Sequence, residues 1–284
     1  EFEKLYVKAL NVDISIREHP VVLLEAVKSL VGIKLVVDCE KILVELKSLI
    51  AKYPTSYSNI DNNNGLKIPE VISYVDLKQS LIDKNQKKVE KNIFYLSRVS
   101  DGKQILEFLL EFSLEYNSYY IHQYIWAIYR MELFLNNKFI NISLKRVSQK
   151  ILQSEYRVLS QESKEINWNT LFNSYELSFA KTSLYYSISK TDLIRKDKIK
   201  KILNLINELK ITEKIGNINY EFLDEQMLLN REWIHDFLLN SNKQIDYTYL
   251  INLNSCRSRL KLSDDLDSQL FWTRLNNLIG VSCN

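Results

Sequence analysis

Apolar side chains recur along this chain at intervals of three and four residues, the spacing that gathers them on one side of an α-helix. Pro20 suits the first turn of a helix that runs through Val22, Leu23, Ala26, Val27 and Leu30 until Gly32 ends it. Val36, Ile42, Leu43, Leu46, Leu49 and Ile50 form a second apolar stripe, which Pro54 stops, and the two together read as a helical hairpin. Residues 54–65, with Thr55, Ser56, Ser58 and Asn62-Asn63-Asn64, are turn-formers and read as a loop. Pro69 then opens a helix through Val71, Ile72, Val75 and Leu81. Its partner carries Val89, Ile93, Phe94 and Leu96, and Asp101-Gly102 marks the next corner.

The stretch from Ile105 to Tyr116 leaves only Glu107, Glu111 and Glu115 as a narrow polar line, which predicts a central helix with one solvated edge. Tyr119 to Leu135 is as rich, with Ile121, Ile125, Trp126, Ile128, Tyr129, Met131 and Phe134; these two segments are the expected core. Helical patterns continue at Ile142–Leu159, Trp168–Tyr186, Asp192–Ile211, Tyr220–Leu239, Tyr247–Leu262 and Leu266–Ile279. The expected fold is a single all-α domain over residues 1–284. It would be a multi-helix bundle or irregular stacked helical hairpins, with roughly 10–12 helices. No residue signature repeats at a fixed period, which argues against a consensus solenoid. The polar run Gln161-Glu162-Ser163-Lys164-Glu165 is the candidate for a subdomain break near 162–167, and its plainer account is one helix–helix loop.

Composition sharpens this picture. With 5 Gly and 3 Pro in 284 residues the chain is short of the punctuation that strand folds need, while 46% hydrophobic residues can line a sizeable core. The 38 basic and 35 acidic residues leave a net charge of +3, too even a balance to suggest a strongly electrostatic nucleic-acid binder, although it leaves room for a local basic face. Cys39, Cys256 and Cys283 lie far apart, without metal or redox spacing, and read as thiols in a reducing compartment. No run approaches the length of a membrane span and no signal peptide opens the chain, so the expected location is cytoplasmic. The chain opens on Glu1-Phe2 and not on a methionine, which fits a trimmed start.

Candidate chemistry is sparse. There is no glycine-rich phosphate loop, nucleophile elbow, H-E-x-x-H or dinucleotide fingerprint. The three histidines are His19, His122 and His235. In Glu232-Trp233-Ile234-His235 a carboxylate and an imidazole three apart can project from one helix toward one metal ion. Glu115 and His122, two helical turns apart, and Glu176 on another predicted helix would complete a set of five ligands. Carboxylates with imidazoles suit non-haem iron or manganese. This pattern resembles the helical di-iron carboxylate oxygenases, although this chain has one E-x-x-H pair where a ferritin-like site has two. The resemblance covers five residues and implies an oxidative enzyme. Asn117-Ser118 sits between Glu115 and His122 and favours a helix end there.

Other features have plainer accounts. His19, between Glu18 and Pro20, reads as a surface or capping residue, and Ser263-Asp264-Asp265-Leu266-Asp267 reads as a capped helix start. Arg195, Lys196, Lys198, Lys200 and Lys201 lie opposite an apolar stripe and read as a solvated face. Tyr116, Tyr119, Tyr120, Tyr124 and Tyr129 cluster with Trp126, and Tyr119, Trp126 and Tyr129 are the candidate lining of a ligand pocket. The leading expectation is a helical domain that binds a protein or small-molecule ligand. The alternative is a metal-dependent oxidative enzyme using Glu115, His122, Glu176, Glu232 and His235.

Overall fold

The computed structural model of the protein describes residues 1–16, 19–32, 39–55, 73–113, 119–154 and Asn254. Among the described residues there are eight α-helices and no strand. They are α1 (Phe2–Leu10), α2 (Pro20–Gly32), α3 (Cys39–Ala51), α4 (Tyr74–Ile82), α5 (Gln86–Val99), α6 (Gly102–Phe112), α7 (Tyr119–Phe134) and α8 (Ile140–Gln153). The all-α reading therefore holds, and no helix among the described residues is long and apolar enough to cross a membrane. The patterns expected beyond residue 159, and the break near 162–167, lie outside the described residues.

The chain divides into two compact units. One comprises Glu1–Glu25 with Leu46–Gln161, and the other Ala26–Glu45 with Glu162–Asn284. In the second unit, Ala26 and Val27 are buried and Val44 is exposed.

The first unit is organised around α8, which packs against α1, α4, α5, α6 and α7. Neighbouring helices pair as short connections dictate, α4 with α5, α5 with α6 and α6 with α7. Helix α7 is enclosed over its whole middle, with every residue from Ile121 to Tyr129 buried, the polar His122 and Gln123 included. Leu106, Leu109, Ile125, Ile128, Leu144, Val147 and Ile151 supply the apolar contacts at the centre of this unit.

Helix ends follow local chemistry. Asp101 accepts a hydrogen bond from the Lys103 N–H at 3.0 Å and starts α6, and Asn85 accepts from Lys88 N–H at 3.1 Å and starts α5. Between α7 and α8, Asn136 and Asn137 adopt φ of 53° and 58°, a left-handed conformation that asparagine tolerates better than most residues.

Three boundaries differ from the sequence pattern. The helix expected from Pro69 begins at Tyr74, because extended Ser73 turns its hydroxyl onto the Asp76 N–H at 3.2 Å. Helix α6 ends at Phe112, four residues before the apolar run does. Helix α8 stops at Gln153, where extended Ser154 bonds back to the Lys150 carbonyl at 2.8 Å. Helix α1, which the pattern analysis left unassigned, buries Leu5, Tyr6, Ala9 and Leu10. The segment after it is fastened by an isolated antiparallel bridge between Val12 and Thr55 and by the Asp13 N–H on the Pro54 carbonyl at 2.9 Å.

Gly102 lets α6 approach α8 closely: a Cβ there would stand 2.6 Å from Ile140 Cγ1. Gly102→Ala is expected to lower stability by about 1–3 kcal/mol, since a β-branched neighbour yields poorly to overpacking. Urea unfolding checks this, and a variant as stable as the wild type would contradict it.

Candidate functional site

His122, the one candidate metal ligand among the described residues, projects from α7 into a fully enclosed position. Its Nδ1 lies 3.0 Å from Ser113 Oγ at the end of α6. Burial lowers its pKa to about 4, with the Leu110 carbonyl working in the opposite direction, so the ring is neutral at physiological pH. Glu115, Glu176, Glu232 and His235 lie outside the described residues. Among the described residues no group of three or more His, Cys, Asp and Glu side chains is placed to hold a metal ion.

Of the candidate pocket residues, Trp126 and Tyr129 stack on each other, with ring centroids 5.6 Å apart at 20°, and both are buried. Tyr129 Oη donates to Glu107 Oε1 at 3.0 Å, and burial together with this bond raises the phenol pKa. Tyr119 opens α7, but its side chain lies outside the described residues. Glu107 and Glu111, expected on a solvated edge, are half-buried; Glu107 gains Tyr129 as a donor and Lys103 as an ion-pair partner at 3.7 Å.

The most developed polar chemistry runs along α8, facing α1 and the segment that follows it. It begins at Glu132, on α7, whose side chain is fully buried. Tyr6 Oη donates to Glu132 Oε1 at 3.0 Å, Ser143 Oγ donates to the same oxygen, and the Phe139 N–H donates to Oε2 at 3.2 Å. Tyr6 and Ser143 also touch each other at 2.8 Å. Burial raises the Glu132 pKa above the usual carboxylate range, against the pull of these three donors. One turn further along α8, Arg146 donates to Asn11 Oδ1 at 2.6 Å and to Gln149 Oε1 at 3.0 Å. A turn beyond that, Lys150 donates to the Ile14 carbonyl at 2.9 Å and stands 3.5 Å from the Asp13 carboxylate.

His19 meets this stripe from the other side. Its position caps α2, as the sequence suggested, with the Val21 N–H on Nδ1 at 3.4 Å. It is not a surface residue, however: it is 1% exposed and packs edge-on against Tyr124, centroids 4.6 Å apart. Burial first, then Lys150 and Arg146, lower its pKa to about 3. Tyr124 is fully buried on α7, and burial raises its pKa while Arg146 opposes the rise. The Val12 carbonyl opposes the fall in the His19 pKa, and Tyr124 Oη has no hydrogen-bond partner among the described residues. The ion pair between Glu25 and Arg130 Nε, at 2.9 Å, ties the same part of α2 to α7.

Comparison with protein-family models, with curated proteins and with solved structures gave no match.

Glu132, Arg146 and Lys150 were missed by motif reasoning because none belongs to a motif. A usable signal existed: Glu132 is the sole carboxylate of α7, and α8 carries Lys145, Arg146 and Lys150 without one acid. Glu132→Ala is expected to cost about 2–4 kcal/mol, from the lost volume and the unsatisfied Phe139 N–H, and Glu132→Gln no more than about 1 kcal/mol. The folded protein holds the Glu132 proton more tightly than the unfolded chain. That contribution is present below the ordinary carboxylate pKa and is lost as pH rises through the folded value. Wild type should therefore lose stability relative to Glu132→Gln as pH rises, as a series of urea titrations would show.

The histidines act with the opposite sign. Both have folded pKa values below 6.5, so the unfolded chain binds the extra protons and stability falls as pH drops from 6.5 toward 4 and 3. His122→Gln should flatten that acid limb, and an unchanged limb would contradict the assignment.

Proposed function

We propose that the protein is a helical binding module that holds a ligand without transforming it. The observation that carries this reading is the junction of His19, Tyr124, Arg146 and Lys150. There Tyr124 Oη, fully buried on α7 and near Arg146, has no hydrogen-bond partner among the described residues. Fixed donors with no acceptor are costly in a core and become useful when an incoming group satisfies them. Glu132 is committed to Tyr6, Ser143 and Phe139, and His122 lies against Ser113, so both are engaged in joining helices.

Elemental analysis of protein purified without chelating resin tests the reading against the oxidative enzyme. The expected result is iron and manganese well below one equivalent, unchanged in His122→Ala. Stoichiometric metal that is lost in His235→Ala would overturn the binding module in favour of a carboxylate and histidine metal site.

A further inference from the structure

Helix α5 carries a line of positive charge on its outer face. Lys87, Lys91, Phe94 and Arg98 succeed one another at steps of four, three and four residues, and Lys88 and Tyr95 fill the same side. Lys84, in the left-handed turn before the helix with φ of 52°, extends the line. All five cations are exposed, while Val89, Ile93 and Leu96 bury the opposite side. Among the described residues none of the five forms an ion pair. The neighbouring carboxylates are engaged by other donors: Asp76 by Ser73, Asp83 by Gln79, Glu90 by Gln86 and Asp101 by the Lys103 N–H. Like charges three and four residues apart repel, so Lys87, Lys88 and Lys91 weaken a helix that interspersed acids would strengthen. Two of the cations rest on rings, Arg98 at 4.4 Å from the Phe94 centroid and Lys91 Nζ at 5.7 Å from that of Tyr95. These contacts hold the charged heads in place and leave the outer face of the planar guanidinium open. At the amino-terminal end of the line, Asp83, Lys84, Asn85, Gln86, Lys87 and Glu90 line an open surface depression of about 590 Å³.

We infer that this face of α5 binds a single strand of nucleic acid, with phosphates along Lys84, Lys87, Lys88 and Lys91 and a base stacked on the Arg98 guanidinium. From Lys87 to Arg98 the line runs about 16 Å at the helical rise, room for a short run of nucleotides. The near-even charge of the whole chain does not oppose this, because the charge is local: α5 holds four cations and one acid. An anionic bilayer rewards a broad basic plane and apolar groups that insert. Here the cations lie in a line one helix wide, and no large apolar side chain between Lys84 and Arg98 is exposed. An acidic peptide would match the charges but bring no planar group to the guanidinium. A polynucleotide strand supplies both a line of negative charge and flat bases. This surface is separate from the junction at Tyr124, and neither reading depends on the other.

The test is fluorescence anisotropy of a labelled oligouridylate of about 12 nucleotides titrated with the full chain over a series of sodium chloride concentrations. Saturable binding is expected, with the logarithm of the affinity falling against that of salt at a slope of about −3. Replacing Lys87, Lys88 and Lys91 together by Gln should reduce that slope by about 2 and weaken binding about a hundredfold at about 0.1 M salt. Arg at the same three positions should keep both, which separates lost charge from a damaged fold; circular dichroism confirms that each variant is helical. Arg98→Lys keeps the charge and should leave the slope unchanged while weakening binding about fivefold or more, the size of a lost stack. The same titrations are run with a duplex of equal length, with polyglutamate and with vesicles containing phosphatidylserine. No saturable binding, equal affinity in the triple Gln variant, or equal affinity in Arg98→Lys would overturn the proposal. A duplex bound as tightly would remove the single strand, and polyglutamate or vesicles bound as tightly would give the face to an acidic protein or a membrane instead.

Discussion

A buried polar stripe on one helix is the constraint to which the other features of the first unit answer. Ser143, Arg146 and Lys150 occupy successive turns of α8, and each reaches a successive part of the amino-terminal segment: Tyr6, then Asn11, then Asp13 and the Ile14 carbonyl. Because both series rise together, α1 and α8 run in parallel. Apolar packing alone would hold α1 on this surface without fixing its position along α8. Directed hydrogen bonds fix it, since a shift by one turn would leave a buried carboxyl, a guanidinium and an ammonium without their partners.

That stripe also explains how a helix of moderate polarity can occupy the centre of a helical unit. Val147, Leu144 and Ile151 face the apolar neighbours, while the polar side is buried against α1 and its trailing segment. Serines within it satisfy themselves or their neighbours, as Ser148 does by donating to the Lys145 carbonyl at 2.8 Å. The cost of burying charge is met by backbone and side-chain acceptors, with Asp13 at the exposed edge. Compensation is incomplete at Tyr124 Oη, Gln123 Nε2 and Asn137 Oδ1, buried atoms without a hydrogen-bond partner among the described residues.

The described residues of the metal hypothesis and of the aromatic pocket all lie on α7. His122 is locked against Ser113 in a neutral form, and Trp126 and Tyr129 stack on each other while Tyr129 engages Glu107. His122 and Tyr129 thus serve contacts between α7 and α6 or its end, while Trp126 stacks within α7. Tyr124, in the same aromatic cluster, is the exception, because its ring is packed but its hydroxyl is unmatched among the described residues.

Helix identity was legible in the chain because periodicity is a local property. The start of α2 at Pro20, its end at Gly32, the Asp101 cap of α6 and nearly the full length of α7 follow from residues within a few positions of one another. Boundaries at Ser73 and Ser154 depended on hydroxyl bonds that compete with an otherwise continuous pattern. The junction of His19, Tyr124, Arg146 and Lys150 was not legible at all, because His19 stands more than a hundred positions before the other three and each has an ordinary local setting. Whether a lysine or a histidine meets water or another helix is decided by which surfaces the helices present to one another, and only tertiary packing makes that choice.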